Sequence, residues 1–227
     1  MGVVQADGNV APQPGSELAL ETLHLGNGGT REAGDPGHDV LLFVFAGSAT
    51  LAGEPLLPGS AALLLEGEVA TIEPGAQGVS LVRATLGAAT DLHAPMGPRE
   101  RIVEIDHVEP GTATGSRSFQ VLFGPHNGST RATMFVGYVP PGKAPWHYHL
   151  YDEIVWIWRG PGSYHLAGGA EAIENGSAFR ITPRAVHIVE NTASDHELAI
   201  LGIFTPAGSP SAAYLTPEIA ADYVVGP

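Results

Sequence analysis

Apolar residues in this chain come in short runs, closely punctuated. DVLLFVF (39–45), SAALLLEG (60–67), ATMFVGYV (132–139), EIVWIWR (153–159) and ELAILGIF (197–204) are each strand-sized and rich in Val, Ile, Leu and aromatics. Thirty glycines and nineteen prolines supply the breaks between such runs. Short β-prone segments at this spacing predict an all-β sandwich or barrel. Only 215–225 reads as a helix: Thr216 suits an N-cap, Pro217 the first helical position and Glu218 the first turn. That helix is expected on the outside.

The chain also resembles itself. VLLFVFAGSATLAG (40–53) lies over VWIWRGPGSYHLAG (155–168) at an offset of 115, with Val40, Gly47, Ser48, Leu51, Ala52 and Gly53 identical. Farther on, PGSAALLLEGEVATIEP (58–74) lies over NGSAFRITPRAVHIVEN (175–191) at an offset of 117, with Gly59, Ser60, Ala61, Val69 and Glu73 identical. Two collinear blocks with nearly equal offsets indicate one fold duplicated, with the boundary near residue 100 and domains at 1–100 and 101–227.

Composition narrows the partners. Hydrophobic residues make up 44% of the 227 and charged residues 15%, which favours a globular chain with much of it buried. The net charge is −14, with a single lysine, Lys143, and no basic run. Such a chain lacks the positive footprint that phosphate neutralisation needs, so nucleic acid is not an expected partner. No apolar stretch approaches membrane-span length, and no membrane partner is expected. The opening MGVVQADGNV has no basic region followed by an apolar one, so no targeting signal is read there and cytoplasm is the expected location. The absence of cysteine excludes disulfides and thiolate metal sites, leaving imidazole and oxygen as the available ligands.

Those ligands concentrate in GKAPWHYHLYDEIVWIWRG (142–160) and GSAFRITPRAVHIVEN (176–191), which hold His147, His149, Glu153 and His187. Alternate residues of a strand share a face, so His147 and His149 project together about 6.5 Å apart along the strand. Glu153 lies about 13 Å farther along a straight strand, too far for a shared ion. The chain is therefore expected to turn at Leu150-Tyr151-Asp152 and to run back as a neighbouring strand, with His187 arriving from another.

At this point the sequence resembles the cupin superfamily. Its first motif, Gly, five residues, His-x-His, three or four residues, Glu, six residues, Gly, is approached by Gly142, His147, His149, Glu153 and Gly160. Its second motif, Gly, five residues, Pro-x-Gly, two residues, His, three residues, Asn, is approached by Gly176, Pro183, His187 and Asn191. The departures are four residues between Gly142 and His147, six between Gly176 and Pro183, Ala185 in place of the motif's Gly, and one residue fewer between Pro183 and His187. The resemblance implies a two-cupin chain of tandem antiparallel jelly-roll barrels, with His147, His149, Glu153 and His187 as metal ligands. The repeat offsets put Glu32, Gly34, His38 and Ala70 at the corresponding first-half positions, a set unsuited to metal. One divalent transition metal per chain is expected, in the C-terminal barrel, and Fe, Mn, Ni, Co and Zn all suit the ligands.

Three neutral imidazoles and a carboxylate would leave such a centre at about +1, with positions open for water, substrate or dioxygen. The first expectation is a dioxygenase-type oxidoreductase acting on a small oxygen-bearing acid, enol or phenol. The alternatives are a non-redox isomerase, lyase or decarboxylase, or a non-catalytic small-molecule binder. Tyr138, Tyr164, His165, Arg131 and Arg180 are candidates for further roles, and no spacing singles out a base among them. Trp156 and Trp158 have the opposite strand parity to Glu153, Val155 and Ile157, so that strand is apolar on both faces and its outer face must be covered, by the other barrel or by a second copy in a homodimer. An acidic surface disfavours highly charged phosphosugars and leaves polyols, phenols and small mono-acids open.

Overall fold

The structure, a computed structural model, describes residues 3–87, 93–113 and 116–215. It is all-β, with every strand pairing antiparallel. The first sheet contains β1 (Ala19–Leu25), β2 (Arg31–Glu32), β3 (His38–Leu51), β4 (Glu54–Leu56), β5 (Ser60–Leu64), β6 (Thr71–Gly87) and β7 (Ile102–Glu104). Its order is β1-β6-β3-β5-β7, with β2 on β6 and β4 on β3. Next come β8 (Gly111–Thr112), β9 (Ser118–Phe123), β10 (Thr133–Val139), β11 (Gly142–Lys143), β12 (His147–His149), β13 (Asp152–Arg159), β14 (Gly162–Leu166), β15 (Gly169–Ile173), β16 (Ala178–Ile181), β17 (His187–Asn191), β18 (Leu198–Thr205) and β19 (Ala213–Leu215). They form two facing sheets, β16-β13-β18-β10-β9-β8 and β15-β14-β17-β12-β19, with β11 on β17.

These are the two tandem jelly-roll barrels. The second encloses Val155, Ile157, Phe179, Ile181, Val189 and Leu198 between its sheets. The first closes by bending two long strands: β3 and β6 pair along most of their length, with irregularities between Val44 and Ala46 and between Gly47 and Ala49. Val40, Leu42, Val44, Leu64 and Ile72 are among the side chains this buries. A third core lies between the barrels, where Leu41 and Phe43 meet Ile154, Trp156 and Leu201. Alternation along β3 and β13 thus feeds an inner and an interfacial core from the same strand.

The expected division at residue 100 is crossed twice. Ile102–Glu104 pair with β5 in the first sheet, while Gln5 bridges Ala178 on the outer edge of β16. The helix expected at 215–225 lies outside the described residues apart from Leu215, which ends β19. No helix among the described residues is long and apolar enough to cross a membrane.

Strand register corrects the internal alignment. Val40 pairs with Leu64 and Thr85 just as Glu153 pairs with Ile181 and Phe204, and the bulges at Phe45 and Trp158 then coincide. Val40, not His38, occupies the position of Glu153. Likewise Ala33, not Glu32, donates its N–H to the Ala70 carbonyl where His147 faces His187. His38 bonds Asp35 at 2.8 Å, and Glu32 is exposed. The connection from Val40 to Leu64 is four residues shorter than that from Glu153 to Ile181, whereas the sequence offsets of 115 and 117 allow for only two, which explains the shift. Ala33, Val40 and Ala70 are all buried in the apolar interior of the first barrel.

Candidate metal centre

Four side chains meet at one end of the second barrel. β12 turns His147 and His149 inward, where they are 9% and 1% exposed, while Tyr148 between them points outward and stacks on Tyr214. His187 on β17 stands directly opposite His147. Glu153, 5% exposed, is the second residue of β13. The spacing predicts β13 as the neighbour of β12, but the structure places it in the facing sheet. Leu150 and Tyr151 carry the chain across, and the Tyr151 ring anchors the crossing between His149 and Phe204. Glu153 therefore reaches the histidines across the barrel rather than along one sheet.

Each imidazole is fixed in the same way. His147, His149 and His187 place Nδ1 2.9 Å from the carbonyls of Pro145, Tyr151 and Ala185 respectively. A carbonyl only accepts, so Nδ1 carries the proton and Nε2 keeps its lone pair, the tautomer a metal ligand needs. Burial lowers the His147 pKa to about 4, with the Arg117 charge adding to the effect, and lowers that of His187 to about 3, with His147 as the next contributor. Both rings are neutral near pH 7.

The His149 Nε2 atom lies 2.9 Å from Glu153 Oε2, is buried, and has no hydrogen-bond donor or acceptor arranged for it among the described residues. With Nδ1–H on the carbonyl and the ring neutral, this contact sets a lone pair against a carboxylate oxygen, which is repulsive unless a proton or a metal cation stands between them. Two adjacent donors on a six-coordinate ion, with bonds of about 2.1 Å, sit about 3 Å apart. The ring centroids of His187 lie 4.3 Å from His147 and 5.1 Å from His149. Among the described residues no group of three or more His, Asp or Glu side chains is drawn close enough to hold an ion as it stands. Ligation by all four thus requires their tips to converge by side-chain rotation. The donor chemistry fits a divalent transition metal.

The four open onto a small cavity of ≈ 80 Å³. Phe119, Phe135, Val155, Ile181 and Ile200 give it apolar walls, and Arg117, Ser118, Tyr138, Tyr151 and Ser211 polar ones. Glu153 is the one carboxylate among the described residues lining it. At roughly 10–15 Å³ per water-sized position, the volume corresponds to about six water-sized groups.

The other sequence candidates divide. Tyr138 lines the cavity but donates its hydroxyl to Gln120 Oε1 at 2.7 Å. Tyr164 is in the core behind His187, stacked on Phe179. His165 pairs with Glu190 at 2.6 Å, Arg131 with Asp39 and Glu66, and Arg180 with Asp152. Arg117 and Tyr151 reach the cavity without having been singled out, because they belong to no spaced motif. Burial, followed by the nearby Glu153 charge, raises the Tyr151 pKa above the usual phenol range, so this hydroxyl is a donor at neutral pH.

No family model matches the sequence. No curated protein matches it either. Solved structures do. A serine-to-alanine variant of Bacillus subtilis oxalate decarboxylase superposes with a TM-score of 0.72 at 15% identity, over 92% of this chain and 74% of that one. A structure used to assign the Mn(II) centres of the same enzyme gives 0.70 at 16% identity, over 94% and 77%. A putative glyoxylate-induced protein from Pseudomonas aeruginosa gives 0.70 at 14% identity, over 89% and 79%. At these identities the likeness is one of fold.

Proposed function

We propose that the second barrel holds one divalent transition metal on His147, His149, Glu153 and His187, and that the protein is a metal-dependent enzyme cleaving a small carboxylic acid beside its carboxylate. The observation that carries this reading is the buried contact of His149 Nε2 with Glu153 Oε2, 2.9 Å apart at the separation of two adjacent donors on one ion, beside His147 and His187 with their Nδ1 atoms on carbonyls. When bound, the ion would supply a Lewis acid for substrate oxygens and, as Mn or Fe, a redox centre. The Mn(II) centres of Bacillus subtilis oxalate decarboxylase make Mn the first metal to test.

The surrounding residues favour a small acid. Arg117 brings a guanidinium to the cavity wall, suited to a carboxylate fork, and about six water-sized positions admit only a few non-hydrogen atoms. The apolar walls exclude water and strengthen electrostatic contacts inside. Loss of carbon dioxide can begin without a general base. Isomerisation by enolisation needs one, and Glu153 is the only described carboxylate on the cavity. Decarboxylation therefore moves ahead of dioxygenation in our reading. The dioxygenase stays second, supported by the dry walls beside the ligands.

Elemental analysis of protein purified without added metal tests the site. The expected result is up to one Mn, Fe, Co, Ni or Zn per chain, lost in His147→Ala and His187→Ala. Oxalate, small keto acids, diketones and catechols are then supplied with and without air. Carbon dioxide release under nitrogen supports decarboxylation, substrate-dependent oxygen uptake supports dioxygenation, and neither reaction from metal-loaded protein points to a binding role.

A further inference from the structure

We propose that the Tyr151 hydroxyl donates a hydrogen bond to the carboxylic acid held in the cavity, while its ring fixes the orientation of His149. This rests on the metal-site reading above and adds a ligand-contacting group to it. Tyr151 is the second residue of the crossing from β12 to β13. Its ring lies between the His149 imidazole, 4.0 Å away and inclined by 9°, and the Phe204 ring, 3.9 Å away and inclined by 21°. Its carbonyl also takes the His149 Nδ1 proton at 2.9 Å. One residue thus holds the imidazole from its face and from its edge.

Packing does not account for the oxygen. A phenylalanine would stack equally well, and a tyrosine that is 9% exposed ordinarily gives its hydroxyl a partner. Tyr138 shows the ordinary arrangement, with its hydroxyl on Gln120. No side chain or backbone group among the described residues bonds the Tyr151 hydroxyl, yet it is not among the buried polar atoms closed off without a partner. Because Tyr151 lines the cavity, the open space is where its acceptor must come from. A carboxylate offers two oxygens and about four lone-pair directions, enough for the metal, the Arg117 fork and one phenol together.

Two substitutions separate ring from hydroxyl. Tyr151→Phe keeps the stack and is expected to retain wild-type metal content and melting temperature, while weakening calorimetric binding of oxalate, malonate or acetate to the Mn-loaded protein by about tenfold. Tyr151→Leu removes the stack. It is expected to lower metal affinity at least tenfold and to alter the visible absorption of the Co(II)-loaded protein, which Tyr151→Phe leaves unchanged. Binding of these acids by Tyr151→Phe at wild-type strength, or by neither protein, overturns the hydroxyl role; wild-type metal affinity and spectrum in Tyr151→Leu overturn the positioning role. Wild-type protein that takes up no metal at all would instead remove the underlying metal site.

Discussion

Arg184 takes a backbone conformation that suits glycine better. Its φ of +67° lies in the left-handed region, its side chain is exposed, and its N–H donates to the His149 carbonyl at 2.7 Å. The cupin motif's glycine corresponds to Ala185, but the left-handed residue has moved one place earlier, where the shortened loop before His187 needs it. A non-glycine residue there costs about 1–2 kcal/mol. Arg184→Gly is expected to raise unfolding free energy by up to about 1 kcal/mol, after the added chain entropy of glycine, with metal uptake unchanged. Chemical denaturation checks it, and a loss of stability would show that the arginine side chain contributes something unseen. At this scale the four proposed ligands were legible as candidates because each sits in a local spacing. Arg117 and Tyr151 were not, since only the closing of two sheets brings them to the cavity.

Among the elements, β16 shows how the strand carrying Glu153 is tied to the lead-in of the first barrel. Arg180 pairs with Asp152, which also accepts from Ser16 Oγ at 2.5 Å, and its other nitrogen donates to the carbonyls of Ala11 and Leu18 at 3.0 and 2.5 Å. The Asp152 residue is 6% exposed, so Arg180→Met would strand a buried carboxylate. The expected cost is about 3–5 kcal/mol, with most of it recovered in the double variant Arg180→Met, Asp152→Asn. Denaturant midpoints for the four proteins of this cycle measure the coupling. Additive losses would mean the pair is not energetically linked. The strands themselves were readable from apolar runs, whereas their junctions were not. Gly160-Pro161 interrupts what is a single strand, β3, in the first barrel, and no periodicity reveals which sheet follows such a break.

Across the whole molecule, the two halves share a strand register but carry different side chains at corresponding positions. Ala33, Val40 and Ala70 fill with core the first-barrel positions that correspond to the proposed ligands, so metal content is expected to saturate at one per chain under excess metal, and His38→Ala to leave it unchanged. A second equivalent lost with His38 would refute the register argument. The outer face of β13, which raised the alternative of a second copy, is covered by the first barrel: Trp156 lies 4.8 Å from Phe45 and Trp158 5.1 Å from Phe43. The tryptophans thus join two barrels of one chain, and the argument from them for a homodimer no longer applies. Trp156 is 2% exposed and its Nε1 has no partner among the described residues, so ring area stabilises the interface while the N–H opposes it. Trp156→Ala is expected to cost about 3–5 kcal/mol as a cavity opens. Trp156→Phe keeps an aromatic ring and removes the orphaned donor, so its cost should stay below about 1.5 kcal/mol. Equal losses in the two variants, measured by thermal unfolding, would mean that the indole N–H has an acceptor and that the interface depends on a hydrogen bond rather than on packing.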